Sequence, residues 1–130
     1  MSTANQPFKN LFIVTAVIEA GTGLLLIAVP SIVSRLLMGS LLEGPVAAMV
    51  ARVAGIALLS LAVACWLARS DESRAARGVA SAMLLYNVAV ALLLTYAGTG
   101  LRLFGIGLWP AVLLHAGMTA WCVRSLAASK

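Results

Sequence analysis

Five side chains in this sequence have types that could do chemistry: Glu19, Arg52, Tyr86, Asn87 and His115. Each is set inside a run of apolar residues. An uncompensated charge at the centre of a membrane helix costs ~2.5 to 3.5 kcal/mol, so such groups face the interior and pair. The expectation is an ion pair between Glu19 and Arg52, with Asn87, Tyr86 or His115 completing the hydrogen bonds. Desolvation offsets much of the attraction in a buried pair. Two uses are therefore open: registering two helices, or forming a polar pocket in which Glu19 binds a proton or, with the other four, a ligand.

The spacing around these residues says which way they point. Neighbours on one helix face lie three and four residues apart. For Glu19 these are Thr15, Ala16, Thr22 and Gly23, a small and polar face suited to close helix packing. Arg52 shares its face with Ala48 and Gly55, and His115 with Ala111, Thr119 and Cys122. The flanks of Asn87 do not discriminate. Counted from the nearest boundaries, Glu19 and Asn87 fall near mid-span, Arg52 about seven residues in and His115 about eight, so at ~1.5 Å per residue the four differ by up to about a turn.

The elements that must position them are spans. The chain has 130 residues, is 62% hydrophobic and 10% charged, and has a mean hydropathy of +1.05, against roughly 25% charged residues in soluble domains. The expected fold class is an all-α integral membrane bundle of four transmembrane helices in a single domain, since a span needs about 20 apolar residues. The spans run from Leu11 to Val29, Val46 to Leu67, Gly78 to Ala97 and Leu108 to Val123. Pro30, Glu43-Gly44-Pro45, the charged stretch Asp71 to Arg77 and the glycines 98, 100, 105 and 107 separate them. In Ser31 to Met38, the apolar Ile32, Val33, Leu36 and Leu37 stand opposite Ser31, Ser34 and Arg35, which predicts a short interfacial helix between the first and second spans. The third loop, Gly98 to Gly107, is expected to be a greasy turn resting on lipid or a flexible lid.

Charge sets the orientation. The termini and middle loop hold Lys9, Arg69, Arg74, Arg77, Arg124 and Lys130, whereas the other two loops hold only Arg35 and Arg102. Six against two places both termini in the cytoplasm of a cell whose inner membrane the protein spans several times. Trp66 and Trp121 near the inner ends, and Tyr96 and Trp109 near the outer ends, agree with an interfacial aromatic belt. The first span follows a polar leader and is read as uncleaved, because Glu19 interrupts it and no small-residue cleavage site precedes Pro30. The net charge of +5 gathers at span ends, which argues against nucleic-acid binding.

Other chemistries lack their motifs. Cys65 and Cys122 form no CxxC pattern and are expected to pack as apolar groups. A lone histidine supplies neither a haem pair nor a zinc or iron cluster. There is no nucleophile motif and no phosphate-binding loop, so an enzyme is the less favoured reading and no cofactor beyond a bound quinone or lipid is implied.

Four short spans with an early intramembrane polar residue resemble, in length and layout, the small DoxX-like bacterial membrane proteins. Some of those are associated with quinone-linked oxidoreductases, so the resemblance implies a hydrophobic ligand such as a quinone, isoprenoid or lipid. An accessory subunit is a further form of this reading. It would dock on a larger membrane complex or on a second copy through the small residues Ala16, Ala20 and Gly23, or Ala51 and Gly55. Overall size and Glu19 also resemble the small multidrug resistance exporters, which implies proton-coupled transport through that carboxylate. The six-against-two charge bias departs from the topology of that family, and an Arg52 beside Glu19 would repel a cationic substrate.

Overall fold

A computed structural model describes residues 7–71 and 73–129. The polar leader before Pro7, Glu72 of the middle loop and Lys130 lie outside the described residues. The described chain is all-helical, with α1 over Lys9–Ala28, α2 over Pro30–Met38, α3 over Gly44–Ala68, α4 over Arg74–Thr99 and α5 over Leu108–Ala128. Four of these, α1, α3, α4 and α5, are long and apolar enough to cross a membrane. Each contains the body of one expected span.

The helix ends explain where the observed bounds depart from the expected ones. Pro30 cannot supply the N–H that α1 would need to continue, and it instead begins α2. Gly39, at φ +80°, closes α2 in the left-handed conformation that glycine adopts without steric cost. α4 starts earlier than hydropathy alone suggests because the charged stretch carries a cap. The Ser73 hydroxyl accepts from the Ala75 N–H at 3.1 Å and donates to Asp71 Oδ2 at 2.7 Å, while the Ser73 N–H donates to Asp71 Oδ1 at 2.8 Å. Arg74 and Arg77 are therefore helical. One turn beyond the cap, Arg77 reaches the Ser129 carbonyl and hydroxyl at 2.6 and 2.7 Å, tying the start of α4 to the end of α5.

The helices associate as two pairs, α1 with α3 and α4 with α5. α1 and α3 run antiparallel and touch at glycine: a Cβ on Gly23 would stand 2.7 Å from the Gly55 carbonyl oxygen, and one on Gly55 would stand 2.6 Å from that of Gly23. Only hydrogen at both positions allows this approach. The small residues Gly23 and Gly55, expected as a docking seam, are thus spent inside the molecule.

Two apolar cores hold the bundle together, and the pairs meet at the first. One gathers Leu11, Phe12 and Ala16 of α1, Cys65 of α3, Ala76, Ala80 and Met83 of α4, and Met118 and Cys122 of α5. Both cysteines are fully buried and free there, packed as apolar groups. The second core, Leu94, Ala97 and Leu108, joins α4 to α5 and takes in Met38 and Leu103.

The third loop is docked on α2. The Gly107 N–H donates to the Leu36 carbonyl at 2.8 Å, and Leu103 N–H to that of Ala97 at 3.0 Å. A side chain at Gly105 would overlap the Leu36 and Leu37 backbone, and one at Gly39 would meet the Phe104 carbonyl at 2.6 Å. Glycine's role here is contact between two backbones.

Candidate functional site

Between the two cores lies a layer of polar side chains. Glu19, at mid-length in α1, is 3% exposed, and Thr15, Ala16 and Gly23 on the same face are buried with it. The small-residue face read from the sequence is the packed one. From α4, the Tyr86 hydroxyl donates to Glu19 Oε2 at 3.1 Å. The Tyr86 ring stands edge-on to the His115 ring of α5, with centroids 5.7 Å apart and planes at 78°. His115 Nδ1 lies 2.8 Å from Asn87 Oδ1, and Asn87 Nδ2 donates to the Met83 carbonyl at 2.8 Å. Asn87 is buried, whereas Tyr86 and His115 are half-buried and carry the layer to the surface. Three helices therefore contribute to one connected group, and each of its hydrogen bonds other than the one to Met83 joins neighbouring side chains of that group.

The roles within the group follow from donor and acceptor chemistry. The Met83 carbonyl can only accept, so the Asn87 atom facing it is the amide nitrogen and the atom facing His115 is the oxygen. That oxygen can only accept in turn. His115 Nδ1 consequently carries a hydrogen, and Asn87 fixes the tautomer by orienting the ring.

Arg52 is the exception. The expected ion pair with Glu19 is not formed: Arg52 is exposed, and its Nε donates to the Ile27 carbonyl at 3.1 Å. The reason is register. Gly23 lies opposite Gly55, and counting equal rises along the antiparallel helices from that contact puts Glu19 level with Leu59 and Arg52 level with Leu26. That leaves about seven residues between the two charges, roughly 10 Å along the axis. Depth counted separately on each span places them within a turn, because it ignores where the helices cross. Ile27 lies in the last turn of α1, where Pro30 and the helix end leave carbonyls without partners. A guanidinium there satisfies one of them and complements the negative end of the helix dipole.

Thr15 is legible in the sequence as a neighbour of Glu19, four residues before it on the same face, and not as a member of the site. Its hydroxyl is 1% exposed as a residue and is the one buried side-chain nitrogen or oxygen without a hydrogen-bond partner among the described residues. Most other helical hydroxyls here bond the carbonyl four residues back, as Thr95 does to Ala91 at 2.7 Å and Thr119 to His115 at 2.8 Å. Thr15 does not, and nothing in its local sequence announces that.

Two grooves cut the surface away from this layer. One, of about 510 Å³, runs along α5 past Gly117, Trp121, Arg124 and Ser125. The other, of about 310 Å³ and almost wholly apolar, lies between α1 and α3 beside Ala16, Ala20, Leu59 and Ala62. Neither is lined by Glu19, Tyr86, Asn87 or His115. No group of three or more histidine, cysteine or carboxylate side chains is placed to hold a metal ion among the described residues. Comparison of the chain with protein-family models, with curated proteins and with solved structures finds no match.

Proposed function

We propose that this chain is a four-span protein of the inner membrane, with both termini in the cytoplasm. Its polar layer binds an apolar molecule with a polar head: a quinone, an isoprenoid or a lipid. The observation that carries the reading is the convergence of Glu19, Tyr86, Asn87 and His115 from three helices, at the joint between the two helix pairs. Polar groups at such depth are expensive in lipid and mark sites of use, and a few convergent polar groups within apolar walls suit ligands of this kind.

Membrane residence is supported by what each helix leaves uncovered. At most 33% of the apolar window of a span is buried within the molecule, and side chains such as Leu67 and Leu113 point outward at 72% and 73% exposure. A monomer in water would not tolerate that apolar surface. The α2 segment supports an interfacial placement: Val33 is buried, whereas Ile32 and Leu36 are turned outward as lipid-facing groups. The resemblance in length and layout to DoxX-like proteins implies a ligand of this class.

A second reading gains from one observation. Because Arg52 is displaced from Glu19, the carboxylate is held only by the neutral Tyr86 hydroxyl. The repulsion that would exclude a cationic substrate is removed, and proton-coupled transport through Glu19 is the alternative.

The readings separate on one preparation. The protein is extracted in mild detergent and its bound molecules are identified by native mass spectrometry, for the wild type and for Glu19→Gln. The ligand reading expects a co-purifying quinone, isoprenoid or specific lipid that the variant loses. A partner polypeptide in its place identifies an accessory subunit of a larger complex. An empty monomer, with cation uptake into proteoliposomes that follows the proton gradient and is abolished in Glu19→Gln, identifies the transporter and sinks the ligand reading.

A further inference from the structure

We infer that the ligand of the polar layer binds as a hydrogen-bond donor: an apolar molecule carrying a hydroxyl, such as an alcohol or phenol, in preference to one carrying a carbonyl. This rests on the ligand reading of the layer and adds the chemistry of the head group: among the ligands named there it selects an isoprenoid alcohol, a hydroxyl-bearing lipid or a quinol over a quinone.

The inference comes from accounting for each hydrogen. A carbonyl head group needs a donor, and the sequence offers Arg52, Tyr86 and His115 for that work. None of the three has a hydrogen free within the layer. Arg52 stands outside it, exposed at the end of α1 with its Nε hydrogen on the Ile27 carbonyl. The Tyr86 hydroxyl hydrogen goes to Glu19 Oε2. The His115 Nδ1 hydrogen goes to Asn87 Oδ1, an orientation forced by the Met83 carbonyl behind it. With Glu19 as the carboxylate, the donors left in the layer are the Thr15 hydroxyl and the second amide hydrogen of Asn87, on residues 1% and 2% exposed.

Acceptors remain. With Nδ1 protonated, Nε2 of the neutral His115 ring holds a lone pair, and Glu19 Oε1 has no partner. Thr15 Oγ1 is the single unpartnered side-chain atom sealed from the surface among the described residues, so the unpartnered Nε2 and Oε1 keep contact with it. The half-buried His115 is the way in. A hydroxyl on an apolar body fits this edge of the layer, giving its hydrogen to Nε2 while the body lies along the apolar helix surfaces. A carbonyl approaching the same lone pair meets another acceptor, and an acceptor left facing an acceptor forfeits the hydrogen bond and the desolvation of both groups.

His115 is the only histidine in the chain, so the imidazole can be read directly. The full-length protein is labelled on histidine nitrogen, reconstituted in nanodiscs of a zwitterionic phospholipid, and titrated with para-nonylphenol and separately with its methyl ether, para-nonylanisole. The two probes share an apolar body and differ by one donor. The expected result is an Nδ1–H tautomer in the free protein, an Nε2 resonance that moves toward the hydrogen-bonded acceptor range with the phenol, and affinity about tenfold or more above that of the ether. His115→Gln and His115→Phe are expected to remove that difference.

Equal affinity for phenol and ether, with the His115 variants weakening both, overturns the donor inference while leaving the layer as a ligand site. An Nε2–H or doubly protonated ring in the free protein overturns it as well. Failure of both probes to bind, or binding indifferent to His115, overturns the ligand reading and this inference together. The tautomer measurement on the wild type holds even where a variant does not fold.

Discussion

The displacement of Arg52 from Glu19 can be measured as a pair of coupling energies. Tyr86 and Glu19 share a hydrogen bond of 3.1 Å. Side-chain hydrogen bonds between membrane helices couple by ~0.6 kcal/mol on average and up to about 1.7. Glu19 and Arg52 lie roughly 10 Å apart along the helix axes and share no hydrogen-bond partner. Changes at such a separation add to within about 0.5 kcal/mol. The perturbations are Glu19→Leu, Tyr86→Phe, Arg52→Gln and the two double variants that include Glu19→Leu. Reversible unfolding in mixed micelles of increasing denaturing-detergent fraction supplies the free energies. The Glu19–Tyr86 cycle is expected to give about 0.6 to 1.7 kcal/mol, and the Glu19–Arg52 cycle a value inside the additive limit. A Glu19–Arg52 coupling larger than the Glu19–Tyr86 one would refute the register argument, because it would require the two charges to meet.

Two further outcomes follow from the packing and the polar layer. Gly23→Ala and Gly55→Ala each drive a methyl into a carbonyl of the neighbouring helix and are expected to cost about 1 to 3 kcal/mol in the same unfolding assay. Gly21→Ala on the same helix, where a Cβ meets nothing within 4 Å, is expected to be neutral or to stabilise by up to about 1 kcal/mol. Asn87→Leu strands the His115 Nδ1 hydrogen in the layer, with an expected loss of ~1 to 3 kcal/mol. It also releases the ring from its tautomer, which nitrogen NMR of the single histidine reads directly; an unchanged tautomer would contradict the role assigned to Asn87.

Much of the architecture is legible in the residues themselves. Four apolar stretches bounded by Pro30, Pro45, charge and glycine become four long helices, because apolar length and breaker residues are local properties. The nine-residue α2 is visible in the spacing of Ile32, Val33, Leu36 and Leu37. The packed face of α1 is visible in Thr15, Ala16, Thr22 and Gly23, since small residues let another helix approach wherever that helix comes from. Cys65 and Cys122 are legible as apolar fillers.

What only the tertiary structure decided is which polar groups meet. A helix's sequence states the depth and face of a side chain, but a contact also needs the register between helices, and that is set by a feature remote from either partner. Here it is the approach of Gly23 to Gly55, which carries Arg52 a turn and a half or more past Glu19 to the end of α1. The same crossing leaves the carboxylate to Tyr86, three helices further along the chain on α4. The hydrogen on His115 Nδ1 is likewise a tertiary decision, made by a backbone carbonyl on α4 acting through Asn87. The residue types in the layer follow from the sequence; their assignment as donors and acceptors follows from helix crossings that no single segment encodes.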